Sequence, residues 1–264
     1  MAIYIVARDG GKSRELFTPI PDAGLEHPAW VPGRAQLSYS GSACDDCRNR
    51  IYLVDRRGGT PRLFPTSLQP ASWASWAPNG RRLVFVGGVT SALYSANSDG
   101  AHVKRLTRDA AAYDQPAWSP NGRKIAYARQ QPNGGWDIYV IHTDGTHRQR
   151  LTKTAQSELQ PAWSPDSRRI AYTAQRRGRW SIYVMNFDGT AAHQLTHGRS
   201  SDEAPAWSRD GRRLAFMRLT PRGIALMWMR SDGTRQTRIA TGLKRSFGPA
   251  FSPNGRQIAF VGQD

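Results

Sequence analysis

QPAWSPDSRRIAY (160–172), continued by IYVMNFDGTAAHQLT (182–196), is the stretch whose reading decides the fold. It divides into four short apolar segments: A (PAW), B (RRIAY), C (IYVMN) and D (HQLT). A and B are separated by Pro-Asp-Ser-Arg, and C and D by Asp-Gly-Thr. Both are tight-turn chemistry, because Asp and Gly tolerate the positive φ that a hairpin reversal requires. B and C are nearly continuous apolar runs rather than strict alternations. Such runs suit strands covered on both faces by neighbouring sheets.

The same unit recurs in both directions along the chain. Its first half appears as HPAWVPGRAQLSY (27–39), ASWAPNGRRLVFV (74–86), QPAWSPNGRKIAY (115–127), APAWSRDGRRLAF (204–216) and GPAFSPNGRQIAF (248–260). The anchors Trp30, Trp76, Trp118, Trp163, Trp207 and Phe251 are spaced by 46, 42, 45, 44 and 44 residues, so the repeat fills all 264 residues. Four short strands in 40–45 residues is the arithmetic of a propeller blade. The chain opens on a C–turn–D half, IYIVARDGGKSRELFT (3–18), and ends on an A–B half, GPAFSPNGRQIAFVGQD (248–264). The expected fold is all-β: a closed six-bladed β-propeller with four antiparallel strands per blade, the last blade completed by the N-terminal strands. One domain spans 1–264, with blades at about 19–64, 65–107, 108–152, 153–196, 197–241, and 242–264 plus 1–18.

The consensus PAWSPDGRRIAY…IYVMNxDGTxxxxLT resembles the PD40 (WD40-like) repeats of the TolB propeller family, over essentially the whole chain. The resemblance implies a six-bladed propeller, usually outside the cytoplasm, that acts by binding protein. The same repeats also serve in sensors, peptidases and polysaccharide lyases, so the fold by itself does not fix the function.

Composition narrows the classes. Nine Trp, nine Tyr and a hydrophobic fraction of 39% supply a core, while 25 Gly and 17 Pro disfavour long helices. No apolar run reaches the roughly 18 residues of a membrane span. A net charge of +17 attracts acidic partners. The aromatics, however, sit inside the strand motifs rather than beside the basic groups, which disfavours nucleic acid. A monomer is expected. No basic leader with a cleavage site opens the chain. The protein is therefore extracytoplasmic (periplasmic or secreted) if a signal was removed, and otherwise of open location.

Candidate chemistry clusters just before the PAW motif, where D-to-A links should enter the channel mouth. Glu26, His27, Asp114, Glu158, Asp202 and Glu203 fall there. Converging carboxylates would suit a hard cation such as Ca²⁺, or equally a Lys or Arg side chain from a partner. They could also simply cap turns and balance nearby arginines. No cofactor is otherwise required.

A second pattern places Arg34, Arg81, Arg82, Arg123, Lys124, Arg168, Arg169, Arg212, Arg213 and Arg256 at successive A–B turns. There they could meet an acidic ligand, or pair with Asp99, Asp144, Asp188 and Asp232 of the C–D turns; the pairing is the preferred reading. Cys44 and Cys47 sit in the longest B–C loop, suited to a local disulfide or to free thiols.

No GxSxG, HExxH or P-loop occurs. The leading reading is a non-catalytic binding or sensing module, with a protein or ligand engaged through the variable-loop face and channel mouth. A carbohydrate-active enzyme or lectin on the same face is the alternative, including a lyase using His27 with the rim acids. An engineered or excised repeat scaffold is the third reading.

Overall fold

The computed structural model describes residues 1–17, 24–42 and 49–264, and among these it contains β-strands and no α-helix. The N-terminal strands are β1 (Ala2–Ala7) and β2 (Arg14–Glu15). The first full sheet is β3 (Gly24–Trp30), β4 (Gln36–Ser42), β5 (Arg50–Asp55) and β6 (Arg62–Leu63). The second is β7 (Ala71–Trp76), β8 (Arg82–Gly87), β9 (Ala92–Asn97) and β10 (Lys104–Arg105). The third is β11 (Tyr113–Trp118), β12 (Lys124–Gln130), β13 (Trp136–His142) and β14 (Gln149–Arg150). The fourth is β15 (Glu158–Trp163), β16 (Arg169–Arg176), β17 (Arg179–Asn186) and β18 (His193–Gln194). The remaining strands are β19 (Asp202–Trp207), β20 (Arg213–Thr220), β21 (Gly223–Arg230), β22 (Thr237–Arg238), β23 (Arg245–Phe251) and β24 (Gln257–Gln263). Within each repeat the strands pair antiparallel in the order A–B–C–D, reversing at the tight turns between the apolar segments.

The expectation of a closed six-bladed propeller needs correction: four blades are seen, not six. Four blades stand as separate four-stranded sheets, and the other strands are hydrogen-bonded into one eight-stranded sheet. The join is a parallel contact of β21 with β23 at Ile224 and Arg245. Its cause is local. The β20–β21 hairpin is long and turns tightly at Gly223, where φ is +127° and any Cβ would run into the Lys244 carbonyl. Glycine therefore lets the hairpin tip reach the neighbouring strand. Within this sheet β1 pairs with β24 from Ala2–Gly262 to Ala7–Gln257, so the chain ends meet as the split repeat suggests.

Apolar cores fill the spaces between neighbouring sheets. One, containing Ile3, Ile5, Leu25, Leu37, Tyr39 and Val261, packs the terminal strands on the first sheet. Packing therefore runs from sheet to sheet and returns to its start. The anchor tryptophans lie at these boundaries. Trp76, Trp118, Trp163 and Trp207 are buried, and Trp30 and Phe251 are partly so. The indole N–H of Trp30, Trp163 and Trp207 donates to the carbonyl of Ala250, Ala117 and Ala162 respectively, each in the preceding repeat, at 3.0, 3.0 and 3.1 Å. Trp76 instead reaches Ser38 Oγ at 2.9 Å, while Trp118 Nε1 is buried without a partner.

Candidate functional site at the channel mouth

Every A strand carries the same irregularity. The pairing of A with B slips one step ahead of the anchor, between Glu26 and Ala29, Asp114 and Ala117, Leu159 and Ala162, and at the matching places in the other repeats. A β-bulge of this kind kinks the strand and re-aims its side chains. The bulged residues are His27, Trp73, Gln115, Gln160, Ala204 and Gly248, all with φ between 52° and 61°. Five of the six are not glycine, a costly choice for L-residues. Together with the prolines and small residues that follow them, they line a cavity of about 260 Å³ where the inner strands converge.

Side chains help to hold the bulges. Gln115 Oε1 accepts the Gln160 N–H at 2.6 Å, and Gln160 Oε1 accepts the Ala204 N–H at 2.9 Å and the Thr173 hydroxyl at 2.8 Å. The Trp73 N–H is satisfied by Ser40 Oγ at 2.9 Å. The two glutamines were missed in the sequence, although Gln stands before PAW in both copies. Their repetition was the available signal.

The six sequence-predicted residues divide into three groups. Glu158 and Asp202 do not join a mouth cluster. They occupy the position held elsewhere by Leu25, Ala71, Tyr113 and Ser246, all buried. Glu158 Oε1 pairs with Arg176 at 2.7 Å and accepts the Thr154 hydroxyl at 2.6 Å. Asp202 makes a two-pronged pair with Arg218, at 2.6 and 2.8 Å. Glu26, Asp114 and Glu203 stand one residue later. In a strand, one residue changes the face a side chain takes, so acids that look equivalent in sequence separate in space. His27, in the bulge, lines the cavity itself.

The second group, half-exposed at Glu26 and partly buried at Asp114 and Glu203, differs from the arginine-paired acids of the chain. Asp109, Asp137, Glu158 and Asp202 each have an arginine within 2.9 Å. Glu26, Asp114 and Glu203 show no arginine or lysine partner among the described residues. Partial burial raises the carboxyl of Glu203 above the usual range, and local desolvation moves Glu26 in the same direction although its side chain is 52% exposed. Burial also raises Asp114, to about 7, against the Gln115 N–H bond that lowers it and with a further push from the charge of Glu26. His27 Nδ1 lies 3.5 Å from Glu26 Oε2 yet is buried without a hydrogen bond, and burial holds its pKa well below the ordinary histidine value. The imidazole is therefore neutral and does not neutralise Glu26. Its ring lies against the Trp73 indole.

A second pocket of about 290 Å³ adjoins the cavity. Glu26 and His27 line it beside Leu25, Met217, Phe247 and Val261. The pocket thus sets apolar walls beside one under-compensated carboxylate, Glu26, whose charge Asp114 feels. Among the described residues no three His, Cys, Asp or Glu side chains come together as a metal site, so the acids are not gathered around a Ca²⁺-sized position. His102 meets Asn97, His142 stacks on His147, and His193 meets Ala191, all beside the C–D turns rather than in the A strands. Cys44 and Cys47 lie outside the described residues. No helix among the described residues is long and apolar enough to cross a membrane.

The C–D turn aspartates were expected to pair with the A–B arginines. They instead close their own turns. Asp144, Asp188 and Asp232 accept from the hydroxyls of Thr146, Thr190 and Thr234 at 2.7, 2.7 and 2.6 Å, and Asp99 accepts the Ala101 N–H at 3.0 Å.

Residues 115–264 match the family described as the TolB beta propeller domain. The solved structure assigned as TolB from Agrobacterium tumefaciens superposes with a TM-score of 0.83, at 22% identity, covering 99% of this chain and 97% of its own. Among curated proteins, Atu1656 of Agrobacterium fabrum, which is uncharacterized, is 35% identical over 82 residues. The uncharacterized peptidase YuxL of Bacillus subtilis is 24% identical over 105 residues. These matches span 28% and 16% of the two relatives' own lengths.

Proposed function

The chain belongs to the TolB β-propeller family, and from that premise we propose that it is a non-catalytic binding module whose channel mouth receives a cationic side chain from a protein or peptide partner. One contrast carries this reading. In a chain of charge +17, Asp109, Asp137, Glu158 and Asp202 are matched with arginine, while the half-exposed Glu26 and the partly buried Asp114 and Glu203 are left without one. A desolvated carboxylate lacking a counter-charge is unfavourable. A Lys or Arg entering the mouth would relieve that penalty, while Leu25, Met217 and Phe247 cover its aliphatic stem. The rigid sheets present the site already formed, which lowers the ordering cost of binding. The family resemblance further supports an extracytoplasmic location for this interaction.

Titration calorimetry with Lys- and Arg-containing peptides tests the proposal. The wild type is expected to bind at least tenfold more tightly than a Glu26→Gln/Asp114→Asn/Glu203→Gln variant that melts no lower than the wild type. Equal affinities would refute it, as would equal binding of peptides in which the basic residue is replaced by norleucine.

A further inference from the structure

On the face opposite the mouth, the A–B turns touch one another in succession. A Cβ added at Gly80 would meet the Pro32 carbonyl, one at Gly122 the ring of Pro78, one at Gly211 Pro165, and one at Gly255 the Arg209 side chain. The Asn121 N–H donates to Ser167 Oγ of the next turn at 3.0 Å. These turns therefore form a collar of contiguous short loops.

The paired basic residues in the collar have separate fates. The second of each pair is engaged by the fold. Arg82 lies over Trp118 at 5.8 Å, Lys124 over Phe187 at 4.9 Å, Arg169 over Trp207 at 4.8 Å and Arg213 over Trp228 at 4.4 Å. The first of each pair is left over. Arg81, Arg123, Arg168 and Arg212 are all exposed, as is Arg256, which is followed by Gln257 rather than by a second basic residue. Among the described residues their guanidinium groups make no hydrogen bond or close ion pair. Their main chain is nevertheless fixed. Each carbonyl accepts an N–H from the adjacent C–D turn, from Ser98, Thr143, Phe187, Ser231 and Arg8 respectively, at 2.9–3.3 Å. In the first repeat Arg34 stands one position earlier and donates to Ser98 Oγ at 3.1 Å.

The acids near these arginines are already committed. Asp166 and Asp210 accept from the hydroxyls of Ser164 and Ser208 at 2.5 and 2.6 Å, and the C–D aspartates are tied to their own turns. The turns bearing Arg81, Arg123 and Arg256 carry neutral Asn79, Asn121 and Asn254 instead. Of the exposed large hydrophobic side chains among the described residues, only Phe187 belongs to these turns. That leaves little to hold an apolar protein surface or to enter a bilayer.

We propose that the collar is a binding surface for a compact, multiply phosphorylated ligand, engaged by several of these arginines at once. Guanidinium matches phosphate in a two-pronged geometry, and a fixed main chain presents successive arginines around one ring. This surface is separate from the channel mouth and does not depend on it.

The test is calorimetric titration with inorganic tripolyphosphate and with inorganic monophosphate, for three proteins. They are the wild type, Arg81→Gln/Arg123→Gln/Arg256→Gln, and a control of equal charge change on the loop face, Arg177→Gln/Arg179→Gln/Arg199→Gln. Tripolyphosphate is expected to bind the wild type at least tenfold more tightly than monophosphate, with affinity that falls steeply as salt rises. The collar variant is expected to lose at least tenfold and the control less than threefold, with unchanged melting in both. Equal losses in the two variants would reduce the effect to net charge and overturn the proposal, as would absence of tripolyphosphate binding. Binding to phosphatidylglycerol vesicles that depends on the collar, without tripolyphosphate binding, would overturn it in favour of a membrane surface.

Discussion

Replacing Asp114 by Asn removes a carboxylate whose ionisation the fold opposes, while an amide oxygen can still accept the Gln115 N–H now bound at 3.0 Å. The carboxyl is raised from 3.8 to about 7, chiefly by burial. Because its folded value lies above its unfolded one, the stability linked to its protonated form is fully present below about pH 4 and is lost as pH rises through about 7. Each pKa unit corresponds to about 1.4 kcal/mol, so the loss at pH 8.5 has a ceiling of about 4 kcal/mol. For a chain of this size that amounts to roughly 8 °C of melting temperature. Asp114→Asn is therefore expected to melt several degrees above the wild type at pH 8.5, with the gap closing near pH 4. Calorimetric melts at half-unit pH intervals measure this. A variant that is no more stable at pH 8.5, or a gap that does not change with pH, would refute the reasoning.

Other perturbations follow from the same packing. Trp163→Ala should cost about 3–5 kcal/mol in urea denaturation, because it empties a boundary between sheets and orphans the Ala117 carbonyl; a cost below about 1 kcal/mol would contradict that role. Trp163→Phe should cost about 1 kcal/mol more than Trp118→Phe, since only the Trp163 indole N–H has an acceptor to lose. Asp202→Asn should destabilise by about 3 kcal/mol by leaving Arg218 partly buried and without its carboxylate, measured by the same denaturation. Removing residues 1–17 strips β1 from β24 and exposes a strand edge. Light scattering should then report self-association, and a stable monomer would count against β1 covering the β24 edge.

The strands, their turns and their anchors were legible because each repeat states them again in the same order. Gly at the A–B and C–D turns and Trp at the end of strand A have a local physical meaning that survives without tertiary information. The join of the last sheets was not legible. It depends on Gly223 meeting the Lys244 carbonyl, a contact between segments with no shared motif. The acids before PAW were half legible. Position in the repeat found all of them, but a one-residue offset separated Glu158 and Asp202, which face arginines inside the sheets, from Glu26, Asp114 and Glu203. Gln115 and Gln160 went unread because their role is to satisfy bulge N–H groups, and the bulge itself has no glycine to announce it in five of six copies. The basic pairs at the A–B turns looked uniform, yet stacking on rings of the next repeat, or of the same repeat for Arg213, divides them into an engaged and a free member.

Proton release on binding tests the central claim most directly. A cation seated beside Asp114 must favour its ionised form, so at pH 7, near the raised pKa, binding should expel a fraction of a proton. Calorimetry of a Lys-containing peptide in buffers of different ionisation enthalpy measures that fraction. The account predicts release of about half a proton per peptide by the wild type and none by Asp114→Asn. Peptide binding with no proton exchange, or with the same release from both proteins, would contradict it.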